Sequence, residues 1–161
     1  MRVYLETSLF GFWFDVHQRN GKKRRHVRRI LLSCRKGKGI HQGYVSAVVL
    51  AELEESREPY KSRDLRLLRK LGPETVTADP GRFERLVEAY EAEPRLSRIP
   101  ERDRMHLALY SLSDLDWLIT MDLNDFTRPV ILEAVVKVNH AQGIHKAVKI
   151  GSPETFFAQA K

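Results

Sequence analysis

Two short apolar runs, Val3-Tyr4-Leu5 near the start of the chain and Trp117-Leu118-Ile119-Thr120-Met121 much later, each end directly on a carboxylate, Glu6 and Asp122. Both runs are β-like, and burying a strand requires neither acid. Between and around them lie longer stretches with helical apolar spacing. Alternating strands and helices predict an α/β fold in three layers, with a mainly parallel central sheet of four or five strands flanked by helices. In open sheets of this kind ligands bind outside the carboxyl ends of the strands, which is where Glu6 and Asp122 fall.

The remaining elements follow from periodicity and punctuation. The aromatic cluster Phe10-Gly11-Phe12-Trp13-Phe14 reads as core packing, and Asn20-Gly21 marks a turn before a basic helix that ends near Gly37 and Gly39. His41 to Val45 reads as a second strand, with Ser46 as N-cap of a helix from Ala47 to about Arg57. Tyr60 to Leu71 is a leucine-bearing helix closed by Gly72-Pro73, and Asp79-Pro80-Gly81 opens another with Phe83, Leu86, Val87 and Tyr90 on one face. Pro100 opens a helix with Glu101 and Asp103 in its first turn, where acids suit the exposed amides. Val130 to His140 reads as a helix capped near Gly143, and Ala147 to Ile150 as a last strand. With 161 residues and 42% hydrophobic content, one domain spanning residues 1–161 is expected.

Lys and Arg number 28 against 21 acids, for a formal charge of +7, and the excess gathers in Lys22-Lys23-Arg24-Arg25-His26-Val27-Arg28-Arg29 and around Arg35 to Lys38. Such clustering suits a polyanionic partner. The alternative is a solvated helix face, with Val27, Ile30, Leu31 and Cys34 on the buried side. A lone cysteine cannot form an internal disulfide and reads as an inert core thiol in a reducing compartment. No run reaches the roughly 18 apolar residues of a membrane span and no signal-peptide pattern opens the chain, so a cytoplasmic protein without a membrane partner is expected.

Four carboxylates stand out as a set: Glu6 and Asp122 after strands, Glu52 within the apolar turn Leu50-Ala51-Glu52-Leu53, and Asp103 at a helix start. Clustered carboxylates repel one another or take up protons unless a cation neutralises them, and Mg²⁺ and Mn²⁺ favour oxygen ligands. A metal-dependent nuclease follows, since such ions activate water and bind phosphate oxygens. Each acid also has a structural alternative. Asp103 serves equally as a helix N-terminal charge, Asp122 and Asp125 as turn residues, Glu52 as part of an exposed stripe, and Glu6 as a salt-bridge partner of an arginine. His106, one turn after Asp103, reads as a packing histidine that lies close enough to approach the acids. The histidines and the cysteine lack zinc spacing, and neither a nucleophile elbow nor a phosphate loop is present.

In order and context these segments resemble the PIN-domain ribonucleases, in particular the VapC-like toxins of type II toxin-antitoxin pairs. The resemblance rests on Tyr4-Leu5-Glu6-Thr7-Ser8, Val45 to Leu53, Asp103-Arg104-Met105-His106-Leu107-Ala108-Leu109, and Leu118-Ile119-Thr120-Met121-Asp122. In the tail, Val138-Asn139, Gly143 and Ile150-Gly151-Ser152-Pro153-Glu154 resemble the ending of one PIN subgroup. It implies a Mg²⁺- or Mn²⁺-dependent endoribonuclease in which Glu6, Asp103 and Asp122 hold metal and Glu52 completes the site or orients water. Thr7, Ser8, Thr120 and Asp125 are then supporting groups, and Lys22, Lys23, Arg24, Arg25 and Arg28 guide RNA. A homodimer and a cognate antitoxin are the implied partners.

Two residues depart from the family pattern. Glu6 stands where Asp is usual and reaches about one methylene further. Arg104 replaces a small residue beside the third acid; turned inward it pairs with a carboxylate, turned outward it contacts RNA phosphate. These departures keep open a second reading, a catalytically weak or inactive PIN-like protein that binds RNA or antitoxin, and the basic helix keeps open a third, a DNA-binding regulator.

Overall fold

The computed structural model describes residues 1–16 and 21–159, so Asn20 of the expected turn lies outside the described residues. Strand β1 (Arg2–Leu5) runs through the centre of the molecule, and its Val3, Tyr4 and Leu5 are all buried. Helix α1 (Ser8–Trp13), built from the aromatic cluster, and the basic helix α2 (Gly21–Ser33) lead to β2 (Gln42–Val45). Helices α3 (Ala47–Glu55) and α4 (Tyr60–Leu71) lead to β3 (Glu74–Thr75), and α5 (Pro80–Ala92) and α6 (Glu101–Leu112) lead to β4 (Trp117–Ile119). After β4 come α7 (Leu123–Phe126), α8 (Pro129–Ala141), β5 (Ile150–Gly151) and α9 (Pro153–Gln159).

The strands form a five-stranded, entirely parallel sheet in the order β3-β2-β1-β4-β5, flanked by helices in a three-layer α/β architecture. Tyr4 lies opposite Tyr44 of β2 and Leu118 of β4, which fixes the register at the centre. The sheet grows from β1 through β2 to β3, then returns to the other side of β1 with β4 and β5. Strand order therefore reverses between β1 and β4, and the crevice outside their carboxyl ends is the position where open α/β sheets hold ligands.

Local chemistry sets the element ends. Helix α4 stops at Gly72, whose φ of 62° is a left-handed conformation suited to glycine and lets its N–H reach Leu68 O at 2.9 Å. Helix α5 starts on Asp79, whose carboxylate accepts the Arg82 N–H at 2.9 Å. Helix α2 ends at Ser33 rather than at the glycines, because residues 35–41 form a loop tied by Lys36 N–H to Leu71 O and by His41 N–H to Ser33 O, each at 2.9 Å. Strand β4 ends at Ile119 rather than Met121, since the Met121 N–H is taken by Ser8 Oγ at 2.8 Å instead of a strand neighbour. The last strand is Ile150–Gly151 rather than Ala147 to Ile150; just before it, the Lys149 N–H goes to Tyr110 OH at 3.0 Å.

The core runs continuously under the crevice, with Tyr4, Leu5, Leu118 and Ile119 at most 1% exposed. Burial of each such side chain stabilises the fold by roughly 1.5–3 kcal/mol, which anchors the strand ends that carry the acids. Cys34 is a buried thiol whose pKa burial pushes up to about 12, as expected of an inert core residue. No helix among the described residues is long and apolar enough to cross a membrane.

Candidate active site

Glu6 follows β1 directly and is only 5% exposed, and both of its carboxylate oxygens have protein donors. Ser8 donates its backbone N–H to Glu6 Oε1 at 3.1 Å and its hydroxyl to Oε2, and Thr120 donates its hydroxyl to Oε2 at 2.8 Å. The Ser8 and Thr120 oxygens in turn accept the backbone N–H groups of Met121 at 2.8 Å and Asp122 at 2.9 Å. The arginine salt bridge that sequence left open does not form: among the described residues no Lys or Arg pairs with Glu6. Two hydroxyls and one backbone amide hold the acid instead, which offsets its burial without an opposite charge.

Asp122 follows β4 and caps α7, accepting the Asp125 N–H at 3.4 Å, so the turn role and a place in the acid cluster coexist. One carboxylate oxygen each from Asp103, Asp122 and Asp125 lie within 4.8 Å of one another. Asp103 sits in the first turn of α6, where the helix dipole favours a charged carboxylate. Its pKa is nevertheless pushed up to about 7, by burial first and then by the charges of Glu6, Asp122 and Asp125, with His106 acting the other way. Burial and crowded negative charge together thus make one member of the cluster hold its proton near neutrality.

Glu52 reaches the same region from α3. It receives the hydroxyl of Thr7 at Oε2, and the same oxygen lies 3.0 Å from His106 Nε2. Burial opposes its charge, but the hydrogen bonds from His106 and Thr7 and the nearby charge of Arg102 hold its pKa below the usual carboxylate value. Ligand atoms of Glu6, Glu52 and His106 also lie within 4.8 Å of one another. His106 is completely buried, with its second nitrogen 2.7 Å from Tyr4 OH. Glu6, Glu52, Asp103 and Asp122 are thus brought to one edge of the sheet, together with Thr7, Ser8, Thr120 and Asp125.

The residues that sequence reasoning passed over are Tyr4 and Ser46, and it read His106 mainly as packing. The signals were present: Tyr4 precedes Glu6 by two residues on a strand, and His106 follows Asp103 by three on a helix, each on its acid's face.

The donor set is chemically uniform. Glu6, Asp103, Asp122 and Asp125 offer only carboxylate oxygens, the ligands of hard divalent cations. Both nitrogens of His106 are occupied by Tyr4 and Glu52, which leaves no imidazole for a softer metal. The residues present therefore fit Mg²⁺ or Mn²⁺.

The basic residues divide by what they touch. Lys22 pairs with Glu154 at 2.6 Å, Arg24 donates to Asp15 O at 2.6 Å, and Arg28 donates to Trp13 O at 3.1 Å with its guanidinium over the Trp13 ring. Lys23 and Arg25 are exposed, and Lys23 and His26 line a small cavity with Met121 and Leu123, the two neighbours of Asp122. Arg104 takes neither orientation expected of it. It is 7% exposed and donates to Ile99 O at 2.6 Å and Ser97 O at 3.4 Å, so it ties down the segment before α6, turned from solvent and paired with no carboxylate among the described residues.

Comparison with protein-family models, with curated proteins and with solved structures finds no match to this chain.

Proposed function

We propose that the chain is a Mg²⁺- or Mn²⁺-dependent endoribonuclease of the PIN-domain kind, acting in the cytoplasm as the toxin of a toxin-antitoxin pair. The observation that carries this reading is the gathering of acids at the crevice between β1 and β4: carboxylate oxygens of Asp103, Asp122 and Asp125 lie within 4.8 Å of one another, and burial together with the charges of Glu6, Asp122 and Asp125 lifts the Asp103 pKa to about 7. Glu6, Asp103 and Asp122 would hold the cation. When bound, it supplies charge neutralisation at the phosphate oxygens and a water of lowered pKa. Glu52, kept anionic by Thr7 and His106, orients the attacking water and accepts its proton. Lys23, beside the Asp122 segment, and the exposed face of α2 draw in the RNA backbone.

Arg104 supports an active site rather than a residual one, because its burial against backbone carbonyls leaves the acids uncompensated. A homodimer and an antitoxin complete the proposal, and the groove lined by Trp13, Phe14, Pro59, Arg63 and Leu67 offers an apolar surface to a protein partner. The test is RNA cleavage by the wild-type chain in Mg²⁺, Mn²⁺ or EDTA. Cleavage in either metal that stops in EDTA is expected; persistence of the same cleavage in EDTA, or none with metal, contradicts the proposal.

A further inference from the structure

We propose that Tyr4 and His106 form a proton-ordered relay from Ser46 that fixes the orientation of Glu52, making both positioning residues for the hydrolysis proposed above, on which this inference rests. Tyr4 OH lies 2.6 Å from Ser46 Oγ and 2.7 Å from His106 Nδ1, and His106 Nε2 lies 3.0 Å from Glu52 Oε2. Tyr4, Ser46 and His106 are all completely buried, so no solvent satisfies their polar atoms. Every donor among these three side chains must therefore find its acceptor within the protein.

That requirement sets a direction. The Val49 N–H donates to Ser46 Oγ at 3.4 Å, so the serine already has one donor pointing at it. If the Ser46 hydroxyl donates to Tyr4, the Tyr4 hydroxyl donates to His106 Nδ1 and His106 Nε2–H donates to Glu52, and each proton is used once. In the reverse direction the Ser46 proton is left with no acceptor among the described residues, which a buried hydroxyl avoids. His106 is thereby the Nε2–H tautomer, its ring orientation fixed by the bond that Nδ1 accepts.

The consequence falls on Glu52. Its Oε2 takes both His106 Nε2–H and the Thr7 hydroxyl, so the carboxylate turns only by breaking two bonds. Oε1 is then the oxygen presented to a water. The relay draws on β1, α3 and α6, the elements that carry Glu6, Glu52 and Asp103, so it holds the proton acceptor in register with the cation ligands.

Two measurements test it. In ¹⁵N-histidine NMR of the full chain, with His106→Gln for assignment, Nε2 should be protonated and Nδ1 unprotonated, and Glu52→Gln should shift the Nε2 resonance. A protonated Nδ1, or no response to Glu52→Gln, overturns the relay whether or not the chain cleaves RNA. In steady-state RNA cleavage with Mn²⁺, His106→Asn keeps an acceptor for Tyr4 but no donor reaching Glu52, whereas Gln keeps a donor at the Nε2 position. Asn should lower kcat by about 10–100-fold with KM within about threefold, and Gln should recover activity to within about fivefold. Equal rates for the two variants overturn the positioning role. Absence of cleavage by the wild-type chain overturns the nuclease reading and with it the catalytic use of the relay, while the NMR result decides the relay itself.

Discussion

The Thr120 hydroxyl donates to Glu6 Oε2 at 2.8 Å while its oxygen accepts the backbone N–H of Asp122 at 2.9 Å. One completely buried threonine thus couples the acid after β1 to the acid after β4. Thr120→Val keeps the shape and removes both bonds, leaving a buried carboxylate and an N–H short of partners. Urea unfolding should show a loss of about 1–3 kcal/mol, and Mn²⁺ affinity should fall with it. A valine variant as stable as wild type would remove Thr120 from the account of the site.

Asp103 makes the metal-free protein sensitive to pH. Its pKa is about 7 in the fold against an ordinary 3.8, so between those values the folded chain binds more protons than the unfolded one. Stability must then fall as pH rises through that window and be lowest above about pH 7. Asp103→Asn should exceed wild type by on the order of 1–2 kcal/mol at about pH 8, the figure being reduced for solvent screening at a half-buried site, and match it near pH 4. Denaturation curves in EDTA across this range measure the difference.

Added Mg²⁺ should reverse that ranking. A cation among the acids offsets their repulsion and must displace the Asp103 proton, so it should raise the wild-type Tm more at about pH 8 than at about pH 5. Thermal melts of Asp103→Asn should show a smaller shift at both. Equal shifts in the two proteins would mean that the ion binds elsewhere.

Arg104 and Lys23 should separate fold from RNA binding. Arg104→Ala removes the donor that holds Ile99 O and Ser97 O, for an expected loss of about 1.5–3 kcal/mol in unfolding, with RNA affinity unchanged. Lys23→Gln should do the opposite, weakening RNA binding and reducing its salt slope by about one contact while leaving stability alone. Filter binding over a salt series distinguishes the two.

How legible each part was in the sequence depended on whether its signal was local. Strand β1, helix α4 and the start of α5 declare themselves through apolar period, Gly72 and Asp79-Pro80, all within one element. Strand β3 has two exposed residues, Glu74 and Thr75, and no apolar pattern to find; its pairing with Tyr44 and Val45 defines it. Helix α7 is a single turn made by the Asp122 cap, and α9 is anchored by Phe156 packing on Trp117, a contact no local window contains. The acids were visible because a carboxylate after an apolar run is locally anomalous. Tyr4, Ser46 and His106 were harder to read, because a strand tyrosine, a helix cap and a helical histidine are each locally ordinary; the parallel pairing of β1 with β2 and the position of α6 bring them together.

The most direct test is titration of Mn²⁺ into wild type, Glu6→Gln and Asp103→Asn at about pH 7.5, read by calorimetry and by RNA cleavage on the same samples. Binding and cleavage are expected in wild type, with both lowered at least about tenfold in each variant. A Glu6→Gln chain that binds Mn²⁺ and cuts RNA at the parental rate would contradict this expectation.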